Sequence, residues 1–473
     1  MILKNEISKL GSQATLKMKL RPSDNIAAIA TPLGEGAISV LRVYGPDAIE
    51  IVDRIFRGKV SLREAPGYTI RHGSIVDSLG QSIDEVLVSV FLSPNSYTGE
   101  NSAEISCHGG VFVTRKILSV LIEAGARQAD PGEFTKRAFL NGKMDLSQAE
   151  AVSDLIRSRS ERALRNSRAH LAGAMGNAVQ SLKDDLVKIV SLLELQLDFS
   201  NDDVTLTSSS AIEEQVNGCI EHLEAILASF RVGKIARDGA SVAIVGAPNV
   251  GKSSLFNRLL MENRSIVSPT PGTTRDFLEE SVDVDGVQVK LIDTAGLREA
   301  GDEIEAEGIS RTKATIESAD LVLFVEDASN QRYREVSDGP DFCGTRAEKV
   351  LVVANKIDLI EPRAPDGKVG KTMVSAKTGQ GIEELRRKLG ELLLGESDRQ
   401  DSELFITSSR HHVAMFSAVE HMRAALRSLR SDVPTEFVVS DLRLSLESLS
   451  LITGEVTTDE ILNSIFSSFC IGK

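Results

Sequence analysis

The segment that decides the fold of this chain is Gly246-Ala247-Pro248-Asn249-Val250-Gly251-Lys252-Ser253. It follows the apolar residues 242–245 and precedes a helix-like sequence from Ser254 onward. A glycine-rich loop in this setting can fold its backbone N–H groups around a phosphate, and the helix N-terminus adds positive partial charge. The pattern predicts a phosphate-binding loop in which Lys252 contacts the β- and γ-phosphates and the Ser253 hydroxyl binds Mg²⁺. Taken alone, the segment also fits an ordinary glycine-rich turn.

A second segment predicts a place for the metal ion and the γ-phosphate. Asp293-Thr294-Ala295-Gly296 ends the strand-like residues 287–292. In doubly wound folds ligands bind at the carboxyl ends of the strands, so a carboxylate at this position faces the nucleotide. We expect Asp293 to hold Mg²⁺ through water and the Gly296 N–H to sense the γ-phosphate.

A third segment predicts the base. Asn355-Lys356-Ile357-Asp358 ends the apolar residues 350–353, and Ser375-Ala376-Lys377 follows. The Asp358 carboxylate can accept hydrogen bonds from two N–H groups of guanine, a donor pair that adenine lacks. The later segment would support the base through its main chain. Together, in this order, the segments predict a GTP site rather than a simple turn.

The loop Pro271-Gly272-Thr273-Thr274-Arg275-Asp276 lies where a GTPase keeps its first switch, with Thr274 as the second hydroxyl on Mg²⁺. Leu297 follows the Asp293–Gly296 segment at the position where Ras-type GTPases have a water-orienting glutamine. Leucine has no polar group for this task, so hydrolysis requires a polar side chain from elsewhere. The acidic residues 299–307 offer candidates, although such a run also fits a solvated helix.

These segments together resemble the TrmE–Era–EngA group of GTPases. The resemblance implies that Glu305 orients the attacking water. It also implies that K⁺ replaces an arginine finger when two G domains meet, with ligands from Asn249, Ser268, Thr270 and Thr273. The predicted GTP-binding residues are Asn249, Val250, Gly251, Lys252, Ser253, Ser254, Ser268, Pro269, Thr270, Pro271, Gly272, Thr273, Thr274, Asp293, Thr294, Ala295, Gly296, Asn355, Lys356, Ile357, Asp358, Ser375, Ala376 and Lys377.

Composition places the chain among globular proteins without a membrane span. It has 473 residues, 41% of them apolar and 26% charged, which predicts about three domains. No apolar run reaches the roughly 18 residues of a spanning helix. The four cysteines are scattered and form no C-x-x-C pair, which favours a reducing cytoplasm and argues against zinc. We expect the basic leader, residues 1–23, to be a disordered tail or the product of an early start codon before Met18, and less readily a transit peptide.

Charge argues against a large, self-sufficient RNA-binding surface. The formal net charge is −14, whereas phosphate contacts require an excess of lysine and arginine. A local basic stretch does occur, although a solvated helix face explains it equally well. Its members are Arg157, Arg159, Arg162, Arg165 and Arg168.

The order of elements predicts a multidomain protein. Short strands with one helix over residues 111–124 indicate an α+β module, and apolar residues at helical spacing flank the G domain on both sides. The stripes are Leu182, Leu186, Ile189, Leu193 and Leu197; Val216, Ile220, Leu223, Leu227 and Phe230; and Phe416, Val419, Met422, Leu426 and Leu429. A last helix is predicted to begin with the capping box Thr457-x-x-Glu460 and to run through Phe469.

We therefore expect an α+β N-terminal folate-binding-like domain, an all-α helical domain, and a Ras-like α/β P-loop G domain inserted into the helical one. The expected boundaries are residues 1–23 for the leader, 24–141 for the N-terminal folate-binding and dimerisation domain, 142–238 with 397–473 for the discontinuous helical domain, and 239–396 for the G domain.

The flanking regions carry a more specific resemblance. Residues 132–146 are similar to the segment that joins the first two domains of MnmE (TrmE) proteins, and the terminal Cys470-Ile471-Gly472-Lys473 is similar to that family's C-[IL]-G-K ending. A prenylation box and a plain buried cysteine are the alternatives for Cys470. The resemblance covers residues 24–473.

Members of the MnmE family modify the wobble uridine of certain tRNAs at carbon 5, adding an aminomethyl or carboxymethylaminomethyl group. The resemblance implies a homodimer that works with the flavoprotein MnmG (GidA) in a heterotetramer-type complex. The methylene carbon would come from 5-formyltetrahydrofolate or a related folate. The folate contacts would be Arg42, Glu104, Lys143 and Lys473, and a chemical role for Cys470 is left open. For each of the four, an ordinary surface ion pair is the alternative.

Two other functions compete with this one. An Era-type ribosome-assembly GTPase would act as an RNA-bound switch. It should carry a basic KH-like domain after the G domain, whereas residues 401–473 show an acidic-to-neutral helical pattern. A folate-dependent transferase could carry the G domain only for regulation.

Overall fold

The computed structural model describes residues 24–198, 208–261, 279–284, 287–293, 319–330, 350–360, 371–394, 406–431 and 433–473. Within these ranges the chain divides into two compact units. The first contains the described residues from Asp24 to Glu150 and residues 457–473, and the second contains the described residues between Ala151 and Val456.

The first unit is built on a seven-stranded sheet. Its strands are β1 (Ile26–Ile29), β2 (Gly36–Tyr44), β3 (Phe56–Gly58), β4 (Thr69–Val76), β5 (Ser82–Phe91), β6 (Ser102–Gly109) and β7 (Arg127–Gln128). Their spatial order is β3-β4-β5-β6-β2-β1-β7, and all pairs are antiparallel except β1 with β7. The helices of this unit are α1 (Ala48–Ile55), α2 (Val111–Glu123), α3 (Glu133–Leu140), the first residues of α4 (Leu146–Arg157), and the last helix of the chain, Asp459–Ser467. The predicted α+β module is confirmed.

The two faces of this sheet have different roles. Alternate residues such as Leu41, Val43 and Ile105 pack against α1 and α2 in the main core of the unit. Their neighbours point to the other face, because successive side chains of a strand alternate. There Tyr44 and Phe134 join a smaller cluster, and Arg42 stands directly opposite Glu104 in the β2–β6 register. The second face therefore combines apolar and charged side chains.

The second unit contains a helical bundle. Its helices are the rest of α4, α5 (Glu161–Leu171), α6 (Ala174–Asp198), α7 (Ser209–Ala228), α8 (Phe230–Asp238), α11 (Ser409–Arg430) and α12 (Thr435–Thr453). Most residues of the three predicted stripes are buried in one core, which confirms the helical pattern. Phe416 is a correction, because its side chain is 52% exposed. Phe230 is another, because it begins α8 rather than continuing α7.

The G domain is a six-stranded sheet with helices. Its elements are β8 (Ala240–Gly246), α9 (Lys252–Met261), β9 (Glu279–Val284), β10 (Val287–Asp293), β11 (Leu321–Asp327), β12 (Val350–Asn355), β13 (Lys371–Met373) and α10 (Ile382–Leu394). The strand order is β13-β12-β11-β8-β10-β9, with β9 antiparallel and the others parallel. Because parallel strands place their carboxyl ends at one edge, the last residues of β8, β10, β11 and β12 lie there. The predicted α/β P-loop domain is confirmed.

The last helix of the chain, α13 (Asp459–Ser467), differs from its prediction at both ends. Its N-cap is Thr458, whose hydroxyl accepts from the Ile461 N–H at 3.4 Å, so Thr457 is not the cap. Thr458 has the extended backbone that a capping residue needs, which sets the start of the helix. The helix ends at Ser467, and Phe469 packs beyond it.

Candidate nucleotide and folate sites

The loop between β8 and α9 approaches its neighbours so closely that only glycine fits at two positions. A Cβ on Gly246 would lie 2.3 Å from the carbonyl oxygen of Val325, and one on Gly251 would lie 2.4 Å from Nδ2 of Asn355. Gly251 has φ +95, and Asn249 has φ 63, in the left-handed region that asparagine tolerates better than most residues. The loop is therefore a tight backbone cradle, which fits a phosphate.

Lys252 lies at the first position of α9, directly after the cradle. Its Nζ donates to the carbonyl oxygens of Gly246 at 3.1 Å and Ala247 at 2.9 Å. The ammonium group therefore lies over the loop, where it can meet an anion held by the N-terminal end of the helix. Ser253 follows in the first turn of α9.

Asn355 ties the end of β12 to the phosphate loop. Its side chain is almost fully buried, with Nδ2 donating to the Val250 carbonyl at 2.9 Å and Oδ1 accepting from the Ala376 N–H at 3.0 Å. One amide side chain thus joins three loops at the carboxyl edge of the sheet. The sequence predicted Asn355 at the site, and the structure gives it this bridging position.

Lys356 connects the same loops through charge. It has φ 66, and its Nζ donates to the carbonyl of Asn249 and to Oδ2 of Asp327, both at 2.6 Å. Burial raises the pKa of the Asp327 carboxyl, but the hydrogen bonds from Lys356 and Ser329 outweigh it, so its pKa is lowered. Asp327 ends β11 at the carboxyl edge of the sheet. Sequence reasoning missed it, although a carboxylate ending an apolar strand is the signal that marked Asp293.

The Asp358 side chain, which is predicted to contact a guanine base, is oriented by a hydrogen bond from Ser375. Its Oδ1 accepts from the Ser375 hydroxyl at 2.6 Å, and the same hydroxyl oxygen accepts from the Thr378 N–H at 3.1 Å. Arg258 of α9, which sequence reasoning also missed, donates to the carbonyls of Ala376 and Lys377. The two predicted base segments are therefore adjacent in space.

Several predicted nucleotide and metal residues lie outside the described residues. They are Ser268, Pro269, Thr270, Pro271, Gly272, Thr273, Thr274, Thr294, Ala295, Gly296 and Glu305. Asp293 is the last residue of β10, paired with Ile244 of β8, so its backbone lies beside the strand that leads into the phosphate loop.

A second cluster lies on the sheet face of the first unit that carries Arg42 and Glu104. Nε of Arg42 is 2.9 Å from Oε1 of Glu104, an ion-pair distance, yet this buried N–H has no aligned hydrogen-bond acceptor among the described residues. Lys473 belongs to the same cluster. Burial lowers the pKa of its ammonium group and Arg42 lowers it further, while Glu104 and Cys470 oppose the shift. The structure thus brings together three of the four predicted folate residues.

Lys143, the fourth predicted folate residue, lies against the loop before β6. Its Nζ donates to the Pro94 carbonyl at 3.2 Å, and a Cβ on Gly99 would lie 3.4 Å from its Cδ. Tyr97 in this loop accepts or donates a hydrogen bond with Thr135 at 3.0 Å. Burial raises the pKa of the Tyr97 hydroxyl, and the hydrogen bond with Thr135 and the charge of Arg42 offset only part of this rise. Tyr97 packs against the cluster of Tyr44 and Phe134, so the loop lies beside the sheet face that carries Arg42.

Tyr44 lines this cluster and was not predicted. Its ring packs edge-on against Phe134, with centroids 4.9 Å apart. Burial raises the pKa of its hydroxyl to about 12, with smaller effects from Arg42 and Glu104. The alternation along β2 was the available signal, since Tyr44 follows Arg42 by two positions and must share its face.

The basic stretch is split between two helices. Arg157 ends α4, and Arg162, Arg165 and Arg168 belong to α5. The buried face of α5 carries Ala163, Asn166, Ser167 and His170, and Arg159, Arg165 and Arg168 are exposed.

No group of three or more metal-ligating side chains occurs in the part of the chain that the structure describes. Across those same ranges, no helix has both the length and the apolar character to cross a bilayer.

Strand, phosphate loop, helix and the Asn355–Asp358 segment at one sheet edge define a P-loop GTPase. Comparison with known proteins makes the assignment more specific. The family model for the GTP-binding protein TrmE N-terminus matches residues 25–143, and that for the MnmE helical domain matches residues 146–470. The chain belongs to the MnmE (TrmE) family, which confirms the resemblance seen in the sequence.

Whole-chain relatives agree with this assignment. The tRNA modification GTPase MnmE of Protochlamydia amoebophila (strain UWE25) is 41% identical over 453 residues, covering 96% of this chain and 98% of the relative. The protein of the same name from Syntrophus aciditrophicus (strain SB) is 42% identical over 457 residues, covering 95% and 99%. That from Ligilactobacillus salivarius (strain UCC118) is 40% identical over 460 residues, covering 95% and 98%. Family membership favours the MnmE hypothesis over the Era-type alternative.

Proposed function

We propose that this protein hydrolyses GTP to drive modification of the wobble uridine of certain tRNAs at carbon 5. The observation that carries the proposal is the match, over 96% of the chain, to a relative named tRNA modification GTPase. The nucleotide site supports it, because the Asn355, Lys356 and Asp358 side chains are held beside the phosphate loop. The scattered cysteines agree with work in a reducing cytoplasm.

In the proposed site the phosphate loop and Lys252 bind the phosphates, and Asp358 selects guanine. Ser253 and Thr274 would hold Mg²⁺, which neutralises charge on the phosphates when it is bound. The oxygen and hydroxyl donors suit this ion. Asn249, which has a left-handed backbone, Ser268, Thr270 and Thr273 would hold K⁺. Glu305 would orient the attacking water.

The monovalent cation and the glutamate give the sharpest test of the GTPase proposal. GTP turnover should be much faster in K⁺ than in Na⁺ at equal ionic strength. Glu305→Ala should abolish turnover while GTP binding stays intact, and Glu307→Ala, from the same acidic run, is the matched control. Equal rates in the two salts would overturn the K⁺ proposal, and a fully active Glu305→Ala would overturn the role of the glutamate.

The first unit would bind 5-formyltetrahydrofolate or a related folate through Arg42, Glu104, Lys143 and Lys473. Cations suit the glutamyl carboxylates of a folate, and a carboxylate suits the paired N–H donors of its pterin. Arg42→Ala should lower folate affinity in a binding titration, and Arg63→Ala, an exposed arginine of the same unit, should not. Equal affinities would contradict the assignment.

We also propose a homodimer that works with the flavoprotein MnmG (GidA) in a heterotetramer-type complex. The cellular test is nucleoside mass spectrometry of tRNA from a deletion strain complemented with wild type or with Glu305→Ala. The wobble uridine should remain unmodified at carbon 5 without the protein and with the variant. Normal modification in the deletion strain would overturn the proposed function.

A further inference from the structure

The C-terminal segment of the chain is fixed onto α3 of the first unit. Lys136 Nζ donates to Oδ1 of Asn463 at 2.9 Å. Gly132, at φ +68, lies so close to α13 that a Cβ there would be 2.6 Å from the Phe466 carbonyl oxygen. Phe466 is buried with Leu146 in one apolar cluster. These contacts set where the last residues of the chain emerge.

Beyond α13 the chain makes one more close approach. Phe469 packs against Phe466 with ring centroids 5.3 Å apart, and the Lys473 N–H donates to the Cys470 carbonyl at 3.3 Å, closing a turn. Gly472 in this turn has φ +96, and a Cβ on it would lie 2.5 Å from the Ile29 carbonyl oxygen. That neighbour is the backbone of β1 inside a sheet, so it has little freedom to move away.

The other side of Gly472 meets the proposed folate cluster. Its carbonyl oxygen accepts a hydrogen bond from Nη1 of Arg42 at 3.3 Å. Gly472 therefore lies between the β1 backbone and the arginine that also pairs with Glu104. The turn leaves the Cys470 thiol exposed and the Lys473 side chain half-buried beside the pair. The position of both side chains depends on the fit of Gly472.

We propose that Gly472 is a positioning residue. Its close approach to the β1 backbone holds the Cys470–Lys473 turn against the Arg42–Glu104 pair. A side chain at this position both clashes with Ile29 and strains the backbone. The turn then leaves the cluster, and Arg42 loses its main-chain acceptor. The effect of this turn position on folate binding rests on the proposed function. The position of the turn itself does not.

The test is Gly472→Ala in the full chain, with Gly80→Ala as the matched control. Gly80 also has positive φ, +77, but has no atom within 4 Å of the added Cβ, so it separates backbone strain from the close approach. The local readout is the pH dependence of Lys473 acylation, followed by mass spectrometry of the C-terminal peptide. Folding of each variant is checked by circular dichroism.

In the wild type and in Gly80→Ala, the ε-amine of Lys473 should react at lower pH than the lysine ε-amine of the free peptide Cys-Ile-Gly-Lys. In Gly472→Ala its profile should move up to that of the peptide, and affinity for 5-formyltetrahydrofolate should fall about 10-fold, as for loss of one charge-assisted contact. An unchanged profile in Gly472→Ala would overturn the proposal. A shifted profile in Gly472→Ala together with no folate binding by the wild type would support the positioning role of Gly472 and contradict the folate site.

Discussion

The Nζ of Lys356 lies 2.6 Å from the carbonyl oxygen of Asn249, which joins the segment after β12 to the phosphate loop. The same ammonium group pairs with Asp327 at the end of β11. One cation therefore connects three loops that are far apart in sequence. Nucleotide binding and the shape of the phosphate loop should depend on it.

Lys356→Met should weaken GTP binding by about 10- to 100-fold, because each hydrogen bond to a charged group contributes about 1.5–3 kcal/mol. The measurement is the Kd of a fluorescent GTP analogue. Lys371→Met on β13 is the control, since it removes a comparable pair with Glu326, at 2.8 Å. Similar losses in the two variants would show that the effect is general to the sheet edge.

Asn355→Ala should destabilise the G domain as well as weaken GTP binding. The substitution leaves the Val250 carbonyl and the Ala376 N–H without their partner in a buried place, at about 1–3 kcal/mol each. Urea unfolding followed by circular dichroism measures the first effect. Asn355→Asp keeps an acceptor for the Ala376 N–H but replaces the donor with a buried carboxylate that faces the Val250 carbonyl, so it should also be less stable than the wild type. A stability of Asn355→Ala equal to that of the wild type would contradict the bridging role.

The first unit should lose stability in acid. Burial raises the pKa values of Asp24 and Glu133, but Arg127 and Arg137 outweigh it, so both lie below their ordinary values of 3.8 and 4.5. Carboxyls with lowered pKa values stabilise the fold above their unfolded pKa, and this contribution is lost as the pH falls through the folded values. Melting temperature should therefore decline below about pH 4.5.

Arg137 makes the pH dependence testable by mutation. Its side chain is buried and reaches Asp24 at 2.6 Å and Glu133 at 3.1 Å. Arg137→Met should destabilise the unit at neutral pH by about 1–3 kcal/mol, because Asp24 and Glu133 each lose one charge-assisted partner and keep only Arg127. The variant should also lose less stability than the wild type as the pH falls below about 4.5. Parallel pH curves for the two proteins would contradict this account.

The exposed arginines of the basic stretch should contribute to tRNA binding. Arg159 and Arg168 form no ion pair with any residue in the ranges that the structure describes, so their charge is available to a phosphate backbone. The double variant Arg159→Glu with Arg168→Glu should bind tRNA more weakly in a filter assay. It should also show a shallower dependence on salt, because fewer counterions are released. Arg427→Glu on α11 is the control, and an equal loss there would indicate a non-specific charge effect.

Local sequence was sufficient for the phosphate loop, about half of the strands and the helices with a clear apolar stripe. The Gly246–Ser253 spacing predicted strand, loop and helix because glycine and the helix N-terminus create that structure whatever surrounds it. The errors came at ends and edges. Thr457 and Thr458 are equally good caps by type, and only the backbone of Thr458 decides between them. Phe416 fits the apolar period of α11, yet no described helix covers its side chain fully.

The sequence by itself determined that this chain is a P-loop GTPase with flanking MnmE-type segments, because those motifs are short and their chemistry depends on neighbours in the chain. Only the tertiary structure joined Lys356 to Asp327, Arg42 to Glu104, and Gly472 to the backbone of β1. Each of these contacts links residues on different elements. Strand order and register decide the first two, and the packing of α13 against α3 decides the third.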